Sequence, residues 1–201
     1  MLTSRLRRLL VGGSSGNEQL TLAVAALLLL LLALEGATLL NLSRLLTVHA
    51  FVGMLLIPVV ALKVASTGWR MVAYYRRGDE YVRRGPPHVA LRVLVAPSLI
   101  LSTIVLFGTG VALLALDETH GTLVGLHKAS FLVWLGAASL HVLAHLLRLP
   151  RLWRLRVRGL TLRVALVGAS LVAGATLATA TLPGADRLQD RASAHVGFDE
   201  R

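Results

Sequence analysis

Four ionisable side chains stand inside long apolar runs of this sequence: His49, Lys63, His127 and His141. Placing such groups in hydrocarbon is expensive, so each is first of all a candidate for function. His49 in LLTVHAFVGMLLIPVVALK and His127 in HKASFLVWLGAASLHVLAH lie a few residues in from corresponding ends of their runs, which lets two neutral imidazoles stand at one depth. Two imidazoles on facing helices are the ligands that six-coordinate, low-spin haem iron needs, with the apolar bundle solvating the macrocycle. His127 and His141 are 14 residues apart, about 21 Å of helical rise and nearly four turns, so they share a face long enough for two stacked haems. His49, His127 and His141 are therefore the metal-ligand candidates. Between the last two, Ser130, Phe131, Trp134 and Ala138 fall on roughly the same stripe, offering small residues for a porphyrin to approach and aromatics to pack its edge.

The pattern breaks at the inner depth. The residue 14 places after His49 is Lys63, an amine where an imidazole partner for His141 would be expected. A buried lysine can lose its proton and bind iron, pair with a haem propionate, or donate to a quinone carbonyl; propionate or quinone is the favoured reading. His145, one turn after His141, and His88, at the inner mouth of the third apolar block, could supply an inner ligand in an altered arrangement. One haem is expected; a second lacks a secured ligand pair.

These residues need helices to hold them. The chain has 201 residues, 55% hydrophobic and 15% charged, with a mean hydropathy of +0.71, whereas a soluble domain carries about a quarter charged residues. The apolar residues gather in blocks of roughly 20, the length that spans ~30 Å of hydrocarbon as a helix. Lipid offers no partner for backbone polar groups, so such blocks are helices rather than barrel strands. The expected fold is an all-α integral membrane protein, a bundle of about five transmembrane helices. Its spans are expected at 20–40, 46–66, 89–116, 122–147 and 160–182, following a cytoplasmic segment at 1–19. Pro183 should end the fifth span, leaving a polar extracytoplasmic tail at 183–201.

Orientation follows from arginine, which accumulates in cytoplasmic loops. Arg5, Arg7 and Arg8 precede the first block; Arg70, Arg76, Arg77, Arg83 and Arg84 lie between the second and third; Arg148, Arg151, Arg154, Arg156 and Arg158 follow the fourth. The opposite loops hold Arg44 in one case and Asp117 with Glu118 in the other. An inner-membrane protein with a cytoplasmic N-terminus is implied. The N-terminal arginines and Leu-rich run resemble a signal peptide, but the run exceeds ordinary length and lacks an Ala-x-Ala site, so it reads as a retained span. The net charge of +11 is membrane-orienting: no nucleic-acid motif accompanies it. The absence of cysteine removes disulfides, iron–sulfur ligation and covalent haem attachment, so any haem is of the non-covalent b type. There is no P-loop, dinucleotide fingerprint or Asp-rich cluster, and no residue set suited to a substrate transformation.

His49, His127 and His141, in the segments quoted above and in this span order, resemble the cytochrome b superfamily of bacterial membrane subunits, such as those of nickel–iron hydrogenases and formate dehydrogenases. The resemblance covers about residues 46–147; the first and fifth spans add little to it. It implies a four-helix haem core that passes electrons between quinone and a partner subunit, with the partner expected on the extracytoplasmic side. Lys63 departs from the paired-histidine pattern of two-haem members.

Plainer readings stand beside these. A single membrane histidine is as often a polar contact to a neighbouring helix as a ligand. His120, beside Asp117 and Glu118, could bind a metal but reads more simply as a solvated loop residue. Glu35, about a turn from the outer interface, could snorkel or pair with Arg44, with a proton or quinone role as the sharper alternative. Pro58 and Pro97 are expected to kink their helices. Trp69, Tyr74, Tyr75 and Tyr81, mixed with arginines, read as an interfacial anchor. The rival to an electron carrier is a haem-free membrane scaffold or small transporter, its histidines and lysine serving interhelical contacts or proton and ion passage.

Overall fold

The computed structural model describes residues 13–76, 94–146 and 160–199. Within them the chain is helical: α1 (Gly13–Thr38), a short 3-10 turn (Leu39–Asn41), α2 (Leu42–Tyr75), α3 (Ala96–Leu116), α4 (Thr122–Leu146) and α5 (Leu160–Asp199). His88, Tyr81 and the arginines at 77–84 and 148–158 lie outside the described residues. Among the described residues, four helical stretches are long and apolar enough to cross a membrane: Ser15–Tyr75, Ala96–Leu116, Thr122–Leu146 and Leu162–Ala194. The first is folded back on itself at the 3-10 turn, since Thr21 meets Ser66 and Thr38 meets His49.

Leu20, Val24 and Leu28 of α1 interlock with Val52, Leu56 and Val59 of α2, and Phe107, Val167 and Leu171 close over them from α3 and α5. A second cluster joins Met54, Leu114, Ala178 and Ala185. The closest backbone approach is between α2 and α5, where a Cβ on Gly174 would collide with the carbonyl of Leu55; small residues permit such contact between membrane helices. The α4 helix packs chiefly along α3. Leu132, Val133, Leu140 and Leu143 of α4 are exposed, as lipid-facing side chains are.

Several expected boundaries move. The second helix runs on to Tyr75, because leaving hydrocarbon removes the need for apolar residues and not the capacity of STGWRMVAYY to remain helical. Likewise α1 begins before Leu20, with Asn17 Nδ2 donating to the Ser66 carbonyl at 3.0 Å. The fifth helix passes through Pro183 to Asp199. A proline inside a helix forfeits one backbone hydrogen bond, and contacts beyond it hold the extension in place: Arg187 and Arg191 reach Asp117 Oδ2 at 3.6 and 3.4 Å. Pro97 falls at the start of α3, and the chain ahead of Leu94 lies outside the described residues. In α2 the departure from helical dihedrals falls at Leu45 (φ −113°, ψ 17°) rather than at Pro58.

Candidate functional site

The interruption at Leu45 strips partners from the first backbone amides of the helix that carries His49. Gln189 of α5 replaces them: its Oε1 accepts from Leu46 N–H at 2.8 Å and Thr47 N–H at 3.3 Å, and its Nε2 donates to the Ser43 carbonyl. Thr47 Oγ1 adds a bond to Asp186 Oδ1 at 3.1 Å. One side chain thus splices both edges of the break and fixes where His49 stands.

The His49 ring is held at one nitrogen from α1. Its Nδ1 lies 3.0 Å from Glu35 Oε1 and 3.0 Å from Thr38 Oγ1. Thr38 gives its own hydroxyl proton to the Glu35 carbonyl at 2.6 Å, so its oxygen meets the ring as an acceptor and Nδ1 carries a proton, with Glu35 Oε1 beside it. Glu35 pairs with this imidazole rather than with Arg44, which is exposed.

His127 is held in the same way from α3. Its Nδ1 is 2.9 Å from Thr109 Oγ1, and the Thr109 hydroxyl donates to the carbonyls of Val105 at 2.8 Å and Leu106 at 3.0 Å. The threonine oxygen is again an acceptor and Nδ1 is again protonated. Gly110 makes room for the ring: a Cβ there would come within 3.2 Å of Cε1. Ser130, one turn on, turns its hydroxyl to the His127 carbonyl at 2.8 Å.

His49 stands on α2 and His127 on α4, two helices without extensive contact. Fourteen residues further along the same two helices stand Lys63 and His141. Lys63 Nζ is turned to α1, donating to the Thr21 carbonyl at 2.9 Å. His141 stacks on His145 at 4.6 Å between centroids, and His145 spends its Nδ1–H on the His141 carbonyl at 2.9 Å. Midway, Trp134 Nε1 donates to Thr103 Oγ1 at 3.0 Å and stacks near Phe131. His120 is exposed in the α3–α4 loop beside Thr119. No group of three or more His, Cys, Asp or Glu side chains with metal-site geometry occurs among the described residues.

His49 and His127 are thus two rings from different helices, each oriented by a partner on its Nδ1. Ligating histidines are commonly oriented by such hydrogen bonds. The inner pair has one imidazole and an amine already engaged by a carbonyl. Thr38, Thr109 and Gln189 were not singled out in the sequence, where a threonine or glutamine among many carries no signal of which ring or backbone amide it will meet. Comparison with protein-family models, with curated proteins and with solved structures returned no match.

Proposed function

We propose that this protein is a b-type haem membrane cytochrome, with His49 and His127 as the axial ligands of one haem near the outer end of the bundle. The observation that carries the reading is the matched anchoring of two imidazoles on different helices, each with its Nδ1 against a threonine hydroxyl of a neighbouring helix. A bound haem would supply one-electron redox chemistry. The chain's own residues set ring orientation through Glu35, Thr38 and Thr109, set depth through Gln189, and exclude water with the apolar side chains of α2 and α3.

In this reading the two arms of Ser15–Tyr75 cross the membrane separately, giving five crossings and a cytoplasmic N-terminus in a bacterial inner membrane. Electrons pass between the quinone pool and a redox partner, which performs any substrate chemistry. Lys63, donating to a backbone carbonyl of α1, suits a propionate or quinone oxygen better than iron, so one haem is assigned.

The test is ligand replacement. In the purified protein, His49→Ala and His127→Ala should each abolish or severely weaken the Soret band, with partial recovery on adding imidazole, whereas His120→Ala should leave it intact. Soret bands unchanged in both ligand variants would remove the assignment.

A further inference from the structure

The two imidazoles of the outer pair are not held alike. His127 gives its Nδ1–H to a threonine hydroxyl, while His49 gives its own to a hydroxyl with the carboxylate oxygen of Glu35 also 3.0 Å from the same nitrogen. Glu35 is an expensive residue in this place. It lies in the apolar run of α1 with its side chain 16% exposed, and its second oxygen, Oε2, is buried without a hydrogen-bond partner. An acid retained under those conditions is a functional candidate. Gly53, on the next turn of the His49 helix, lies beside Oε1.

Resting on the haem reading above, we infer that Glu35 is a positioning residue that sets the redox potential of the site through His49. A hydrogen bond from Nδ1–H to a carboxylate raises the basicity of the ligating nitrogen. A more basic ligand, with a negative charge behind it, stabilises ferric over ferrous iron, and second-shell hydrogen bonding of this kind is one of the protein's levers on haem potential. The site therefore has one electron-rich ligand, on α2, and one ordinary ligand, on α4.

The experiment is a potentiometric titration of the full-length protein in detergent, comparing the parent chain with Glu35→Gln, Thr38→Val and Thr109→Val. Glu35→Gln should raise the midpoint, with a tenfold change in the ferrous-to-ferric ratio at fixed potential, about 59 mV for one electron. Thr38→Val should leave the midpoint unchanged or lower it, because the whole Nδ1–H then goes to the carboxylate. Thr109→Val should move it less than Glu35→Gln does. A Glu35→Gln midpoint equal to the parent's, or a rise in Thr38→Val matching that of Glu35→Gln, would overturn the inference while leaving the haem assignment standing. If Glu35→Gln folds but no longer retains haem, retention by Glu35→Asp supports the carboxylate's role. If neither retains it, the direction of the Thr38→Val shift decides. A parent chain that binds no haem defeats the haem reading itself and is seen before any variant is titrated.

Discussion

A histidine that serves as a ligand has two nitrogens with separate tasks, and the distinction is visible at His49 and His127. In both, Nδ1 is committed to acceptors on a neighbouring helix, so ring rotation and tautomer are fixed before any ligand arrives. Removing such a partner commonly costs 10–100-fold in affinity for the bound metal group. Thr109→Val should accordingly weaken haem retention by roughly that factor, read as faster haem transfer to an apoprotein acceptor, while Thr103→Val, which frees only the Trp134 indole, should not. The histidines were legible in the sequence because an ionisable residue in an apolar run has few explanations. Their partners were not: threonine is tolerated throughout membrane helices by bonding its own backbone, as Thr103, Thr176, Thr179 and Thr181 do here. Nothing local separates those from Thr109.

The helices were legible where composition forces them and illegible where it does not. Apolar blocks announced the cores of all the helical segments, but hydropathy measures where lipid ends and helices end where hydrogen bonding or packing stops. That is why α2 continues through Ser66–Tyr75 and α5 through Pro183. The α5 extension then acquires a task that a loose tail would not have, because Gln189 bridges the break at Leu45. Gln189→Ala leaves two amides and a carbonyl short of partners, and should destabilise the outer end of α2 by about 1–3 kcal/mol, measured as a lower melting temperature in detergent and weaker haem retention. α1 and α5 carry none of the candidate ligands, yet they supply Glu35, Thr38 and Gln189. The close contact of α2 with α5 is a separate requirement. Gly174→Leu drives a side chain into the Leu55 carbonyl and should lower the melting temperature, with a cost of about 1–3 kcal/mol for overpacking, whereas Gly168→Leu, where a Cβ meets open space, should be neutral.

On the scale of the molecule, the α1–α2 hairpin and α5 form one packed unit, and α3 carries α4 beside it. His49 and His127 therefore come from two parts of the bundle, and a planar group held between them would join those parts. Haem binding should consequently raise the melting temperature of the whole protein, since a ligand that binds only the folded state stabilises it in proportion to the logarithm of its concentration. Orientation is open to a direct check because the chain has no cysteine. A single Glu118→Cys should react with a membrane-impermeant maleimide in intact spheroplasts, and a single Arg76→Cys should react only after lysis; the reverse pattern would invert the proposed topology. The central claim, that this bundle carries one haem between His49 and His127, is tested most directly by a reduced-minus-oxidised visible spectrum of the purified protein, expressed with adequate haem supply and quantified as the pyridine haemochrome. The expected result is about one haem b per chain with sharp low-spin α and β bands. A chain that folds under the same conditions and shows no haem bands would contradict the account.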